Sequence, residues 1–391
     1  MDKKIYITYE ELYYAYLCCQ KRKRRTRNEQ VFEMNDNLKL YHLWEDINNF
    51  RYTVGQSITF IVDTPTLREI FAADFIDRII HHLIINKFLP YFEQEFIDDT
   101  YSCRVGKGTL YGINRCSSKA IQVSANYTIP TYVYKGDLKS YFMSINKNIL
   151  WNKIDNFLKN TCHLNEDDYT IYSYLIKLVI FNDCTESCIF KGRKELRYSL
   201  PHNKSLFYSS PDCGLPIGNL TSQIFANYFL TEFDRYIQSL PQVLGYGRYV
   251  DDFYIFAKSI KDLKYIRNII KEELAKIGIT LHPKKCYMQE IHNGIPFTGT
   301  IIKKDRIYVI NRVKKESKQK ILARLSIPPT TIYEKKNCES SVNSILGHLG
   351  NFNTKKIRRR IIYTYIKKYK RYNISYTVTY KKIKVHLSKS P

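Results

Sequence analysis

The chain has 391 residues, 44% of them hydrophobic, and its 62 Lys and Arg outnumber 37 Asp and Glu to give a formal net charge of +25. That length accommodates two or three domains or one multi-lobed enzyme, and cations in excess throughout the chain call for a polyanionic partner. No window of 18 apolar residues accompanies the charge, so the partner is read as nucleic acid rather than membrane.

Aromatic residues reach 14%, with 34 Tyr, which suits stacking on bases and sugars, although an AT-rich coding bias accounts for part of the tyrosine. Ten cysteines are scattered without a Cys-x-x-Cys framework or nearby histidines, which argues against zinc. The first residues carry no apolar core of the signal-peptide type, so an intracellular protein with reduced thiols is expected.

In chain order, residues 8–20 read as a helix capped by Thr8 with Glu10 and Glu11 in its first turn. Six cations in seven residues follow at 21–27, a local source of phosphate contacts. Between Leu67 and Leu89 the apolar residues recur at helical spacing, interrupted by Arg68, Asp77, Arg78, His81 and His82, which predicts an amphipathic helix with a basic face. Adjacent histidines on a helix do not converge on a metal. Gly106 and Gly108 around Lys107 make a flexible basic loop able to cradle a triphosphate, without the spacing of a P-loop.

A β-branched and aromatic strand ends at Asp137, and an acid at a strand's C-terminal end faces a ligand site in many α/β arrangements. Residues 150–190 read as mostly helical, and residues 214–234 as a glycine-containing turn leading into a helix. Tyr249-Val250-Asp251-Asp252 then sits between two apolar runs, as at the tip of a hairpin with one face buried. Two carboxylates this close repel one another, so something positive must compensate them, most simply Mg²⁺, unless the pair serves turn chemistry alone. Residues 260–277 read as a helix stopped by Gly278, residues 279–286 as an extended segment, and residues 294–302 as a short strand with a glycine bend. Beyond residue 311 the chain reads as helical, and residues 353–391 contain no acid.

The order of these pieces resembles the palm of reverse transcriptases. Asp137 matches the first acid, Ile217-Gly218 the next turn, Tyr249 to Asp252 the Tyr-x-Asp-Asp box, Lys284-Lys285 the lysine motif and Phe297-Thr298-Gly299 the primer grip. The stretches 68–82 and 103–108 look like the fingers of bacterial reverse transcriptases, and residues 341–349 echo a thumb. The resemblance covers roughly residues 60–305 and implies an α+β right-hand polymerase fold with a ferredoxin-like palm and a helical thumb. Its domains would be a basic helical extension at 1–60, fingers at 61–130, a palm at 131–305 with a helical insertion at about 150–210, and a basic helical thumb and tail at 306–391.

The resemblance also implies the chemistry. Two Mg²⁺ ions, with Mn²⁺ as a substitute, would be held by Asp137, Asp251 and Asp252, with Leu138 in the same metal set. Arg104 and Lys107 would hold the triphosphate, Lys285 or Lys284 would protonate the leaving pyrophosphate, and Phe142 would block a 2′-hydroxyl. Ile217 and Gly218 would line the nucleotide, while Tyr249, Phe297, Gly299, Arg68, Arg78, Arg358, Arg359 and Arg360 would contact primer and template. Alternating with aromatic residues at helical spacing, the tail cations are expected to grip an A-form duplex through its backbone.

Most reverse transcriptases carry Gln-Gly where this chain has Ile217-Gly218, and that variant looks like the enzymes of diversity-generating retroelements, with defence-associated reverse transcriptases as close relatives. The implied partners are template RNA, cDNA and deoxynucleoside triphosphates. A small basic accessory protein, a structured non-coding RNA and homo- or hetero-oligomers stay open, in the cytoplasm of a bacterium or encoded by a phage. A catalytically idle nucleic-acid-binding scaffold of the same fold is the competing class.

Overall fold

The computed structural model describes residues 4–21, 27–63, 66–193, 195–327, 329–369 and 374–386. The elements run α1 (Tyr9–Gln20), α2 (Arg27–Glu33), α3 (Asp36–Asn48), β1 (Ser57–Val62), β2 (Arg68–Ala72), α4 (Phe75–Glu95), α5 (Thr109–Val123) and β3 (Tyr132–Asp137). There follow α6 (Tyr141–Ser144), α7 (Lys147–Asn160), α8 (Glu166–Phe181), β4 (Cys188–Phe190), α9 (Glu195–Tyr198), α10 (Leu220–Phe229) and α11 (Thr231–Ser239). Next come β5 (Gly245–Tyr249), β6 (Asp252–Ala257), α12 (Ile260–Lys276), β7 (Tyr287–Glu290), β8 (Ile295–Phe297), β9 (Thr300–Lys303) and β10 (Arg306–Val309). The chain closes with α13 (Asn311–Ser326), α14 (Ile332–Gly350), α15 (Lys355–Tyr369), β11 (Ile374–Tyr376) and β12 (Ile383–Val385). Among the described residues no helix is long and apolar enough to cross a membrane.

The chain divides into two units interleaved in sequence. Met1–Gly106, Asp137–Pro241 and Tyr265–Lys285 form the first, and Lys107–Gly136, Gln242–Lys264 and Cys286–Pro391 the second.

In the first unit, Thr8 caps α1 reciprocally: its hydroxyl accepts from the Glu11 amide, and the Glu11 carboxylate accepts from the Thr8 amide at 2.9 Å. Helix α4 packs against α1, α8 and α10 and is buried on several sides, with Phe92 stacked on Phe157 at 4.4 Å. A helix in such a place has little room for the basic face expected of residues 67–89. The first part of that span is not helical at all. Residues 68–72 pair antiparallel with β1, and the carboxylate of fully buried Glu69 accepts from the Ser205 hydroxyl at 3.0 Å and the Leu206 amide at 2.7 Å. These bonds across more than 130 residues select strand over helix, and Asp74 then caps α4 by accepting from the Ile76 amide.

In the second unit a four-stranded sheet has the order β5-β6-β3-β7; Asp137, the last residue of β3, counts with the first unit. Strands β5 and β6 pair antiparallel with Tyr249 opposite Asp252, which leaves Val250 and Asp251 as the two-residue turn. Both faces of this hairpin are buried, not one as expected, because α5 packs against β5 and β6 while β8 packs against β6. Strands β8, β9 and β10 form a separate antiparallel sheet, in which Thr298 and Gly299 turn with φ of 42° and 79°. Tyr287–Glu290 is the strand following the lysine pair, whereas Pro283 to Lys285 form a turn in place of the expected extended segment.

The tail departs from the all-helical expectation. Its last described part is the hairpin β11–β12, which buries Ile374, Ile383 and Val385 and is tied to α14 by Asn343, whose side chain donates to the Ile383 carbonyl and accepts from its amide. Alternating β-branched residues around a polar turn account for the strands. The basic run at 21–27 lies largely outside the described residues, as do Lys370 and Arg371.

Candidate active site

Asp251 and Asp252 occupy the tip of the β5–β6 hairpin. Val250, before them, has φ of +57°, a left-handed conformation that costs a β-branched residue about 1–2 kcal/mol. Arg248, two residues earlier and fully buried, donates from Nη1 to the Val250 carbonyl at 3.0 Å and so pins the strained turn. The sequence does contain a signal for this: an arginine inside an otherwise buried strand must find a partner.

Asp252 is half-buried and asymmetric, with its Oδ1 cut off from solvent. Its Oδ2 accepts from the Thr298 amide at 3.2 Å, and its Oδ1 lies 3.1 Å from the Lys135 ammonium without a well-aligned hydrogen bond. Burial, helped by the neighbouring Asp251 charge, raises its carboxyl to about 6, while Lys135 and the Thr298 amide pull the other way. Lys135 was missed by the sequence reading; it stands two residues before Asp137 on β3, and the period of a strand puts both on one face.

Gly136 lies between them, and a Cβ there would come within 2.1 Å of the Phe253 ring. The strand carrying the first acid therefore lies directly on the residue that follows Asp252, a closeness only glycine permits. Within the first unit, Asp137 Oδ2 pairs with Lys285 Nζ at 2.9 Å, and the Asp137 carbonyl accepts from the His282 amide at 2.7 Å. Leu138 is buried in a bridge to Leu281, so only its main-chain carbonyl is chemically able to meet a cation. Lys284 is exposed at the same turn as Lys285.

The first unit also places Ile217 and Gly218 against β2. The Ile217 carbonyl accepts from the Phe71 amide at 2.8 Å, and Gly218, at φ of +128°, would set a Cβ 2.7 Å from the Phe71 carbonyl oxygen. Phe142, half-buried on α6, has its carbonyl bound by the Leu215 amide.

Several expected contacts take other roles. Arg104 is spent on the end of α4: it pairs with Glu93 at 2.7 Å and donates to the Ile97 carbonyl and Thr100 hydroxyl, its side chain only 5% exposed. It is a structural clamp rather than a holder of triphosphate. Lys107 lies over the Tyr111 ring at 5.9 Å. Phe297 is buried edge-on against Tyr254 and cannot present its ring to a primer, though Gly299 beside it turns the β8–β9 hairpin. Arg78 donates to the Ala73 carbonyl, Arg68 is exposed on β2, and Tyr249 is half-buried at the end of β5. Arg358 and Tyr365 are buried, whereas Arg359 and Arg360 are exposed.

Hard carboxylate oxygens suit Mg²⁺ or Mn²⁺, and the buried Asp252 Oδ1, offered only a poorly aligned ammonium, fits a divalent cation well. Among the described residues no group of three or more His, Cys, Asp or Glu side chains is gathered as a metal cluster, and the carboxylates of Asp137 and Asp252 instead face lysines.

The sequence matches the family described as reverse transcriptase (RNA-dependent DNA polymerase) over residues 63–302, more than half of the chain, and the protein belongs to that family. Its helices and mostly antiparallel sheets make an α+β polymerase fold. Among solved structures it is similar to apo telomerase from Candida tropicalis truncated from its C-terminal domain, at 13% identity and a TM-score of 0.43, over 65% of this chain and 55% of that one. A comparison with curated proteins finds no match.

Proposed function

We propose that this chain is an RNA-directed DNA polymerase whose catalytic carboxylates are Asp137, Asp251 and Asp252. The observation that carries the reading is the strained, arginine-pinned Val250 turn, with the carboxyl of half-buried Asp252 raised to about 6, in a chain of the reverse transcriptase family. Asp137 follows directly on Gly136, which is packed on the ring following Asp252, and this chain connection supports grouping the three acids.

When bound there, two divalent cations supply Lewis acidity to the primer hydroxyl and the triphosphate. The chain's own residues do the rest. The carboxylates furnish hard donors, Arg248 holds the turn that presents two of them, and Lys285 is the proposed donor of a proton to departing pyrophosphate. Lys107 remains the proposed triphosphate contact, and Phe142 the proposed barrier to a 2′-hydroxyl. Fingers, palm and thumb follow the boundaries given above.

Ile217 supplies an apolar side chain where many relatives place an amide, which supports reduced fidelity of the kind used by diversity-generating retroelements. The test is extension of a labelled primer on an RNA template with deoxynucleotides. Wild type is expected to extend, and Ile217→Gln to lower misincorporation; no extension by wild type overturns the polymerase reading, and an unchanged error rate overturns the role of Ile217.

A further inference from the structure

Arg358 was expected to grip nucleic acid, yet it is 3% exposed and its guanidinium is occupied. Nε donates to the Tyr380 carbonyl at 3.1 Å and Nη2 to the Thr379 carbonyl at 2.9 Å, while Nη1 reaches the Leu349 carbonyl and the Thr354 hydroxyl. One buried side chain thereby ties the β11–β12 turn to the start of α15 and the end of α14. The turn so held is strained: Tyr380 has φ of +54°, in the left-handed region that side chains avoid.

What this fixes in place is a group of aromatic rings. Tyr363 of α15, Tyr376 of β11 and Tyr380 of the turn lie with ring centroids 5.1 to 6.5 Å apart, Tyr376 and Tyr380 stacked at 23°. Tyr363 and Tyr376 are 45% and 38% exposed, and Arg359 sits 5.3 Å from the Tyr363 ring. Lys381, Lys382 and Lys384 are exposed beside them, and no acid occurs in residues 353–391. The hairpin gains its own packing from Ile374, Ile383 and Val385, so it does not need these half-exposed rings to fold.

Cations alone would serve a duplex, whose bases are hidden in their own stack and which offers mainly phosphates and hydroxyls. Aromatic rings left partly exposed among cations match a different ligand, unpaired bases on a charged backbone. We propose that Tyr363, Tyr376 and Tyr380 form a stacking platform for single-stranded nucleic acid, with Arg359 and the neighbouring lysines on its phosphates. Arg358 is the peg that builds the platform and touches no ligand. The inference rests on the reading of the chain as a nucleic-acid polymerase and adds a strand-type preference to its tail.

The experiment uses the full chain and two labelled probes of equal length, single-stranded oligouridine and a blunt RNA duplex, with affinity read by fluorescence anisotropy. Tyr376→Leu with Tyr380→Leu is expected to weaken oligouridine binding about tenfold or more, from the cost of losing base–aromatic stacking. Duplex affinity should stay within about twofold, because its electrostatic contacts are untouched. Tyr376→Phe with Tyr380→Phe keeps the rings and should bind both probes as wild type does. Equal weakening of both probes, no change in either, or a loss in the Phe pair matching that in the Leu pair overturns the platform. Should the Leu pair melt below the assay temperature, Tyr363→Leu on the outer side of α15 carries the same comparison. Primer extension by the same proteins separates the two readings. A chain that never extends a primer but discriminates the probes overturns only the polymerase assignment, and a working polymerase with indifferent Leu variants overturns only the platform.

Discussion

Asp252→Asn is expected to make the protein more resistant to heat near neutral pH, by about 3 kcal/mol, while reducing nucleotide addition a hundredfold or more. The stability gain follows from the carboxyl's environment. Burial raises it to about 6, against about 3.9 for an unfolded Asp, so ionising it opposes folding even with Lys135 at 3.1 Å. The folded protein therefore loses stability as pH rises from about 4 to about 6 and bears the full cost above that range. An amide cannot ionise. The variant's advantage should be greatest near neutral pH and vanish toward pH 4, which melting curves in EDTA across that range will show. Added Mg²⁺ should stabilise wild type more than the variant, since the amide is a poor ligand for a hard cation. A variant no more stable than wild type at neutral pH contradicts the reading of Asp252 as a desolvated, costly anion.

Gly136→Ala should be strongly destabilising. The added Cβ would stand 2.1 Å from Phe253 Cζ and 2.4 Å from Cε2, and Phe253 is fully buried with Tyr134 edge-on at 5.9 Å. A ring enclosed in this way cannot swing aside, so β3 and β6 must separate, at a cost of about 3 kcal/mol or more. Gly136 is flanked by Lys135 and Asp137, hence the displacement reaches the acids as well as the fold. Phe253→Leu should restore part of the loss when combined with Gly136→Ala, although alone it destabilises. A double-mutant cycle in denaturant measures that coupling. Strictly additive losses would mean that the glycine and the ring do not meet.

What the sequence disclosed and what it hid divide along a physical line. The acid pair between apolar runs, the strand ending at Asp137, the helix stopped by Gly278 and the Thr8 cap are local patterns, governed by side-chain period and turn chemistry, and each stands in the structure as expected. Residues 68–72 form a strand instead of a helix because that strand is chosen by β1 and by the Glu69 bonds to Ser205 and Leu206, partners no local window contains. Cations were the least legible. Arg104, Arg248 and Arg358 look alike in sequence, yet one clamps a helix end, one pins the Val250 turn and one pegs a hairpin, all by donating to main-chain carbonyls. A strongly basic composition invites every arginine to be read as a phosphate contact, but a planar donor with five N–H groups is equally suited to gathering carbonyls in a fold. The exposed Arg359 and Arg360 keep the reading that Arg358 lost.

The central claim is best tested by single-turnover primer extension on an RNA template in Mg²⁺, with wild type beside Asp137→Asn and Asp251→Asn, each first shown to melt cooperatively. Extension by wild type that is abolished by EDTA, and falls by a hundredfold or more in both variants, is the predicted result. Extension undiminished in either variant would contradict the assignment of these carboxylates, and with it the account of the site.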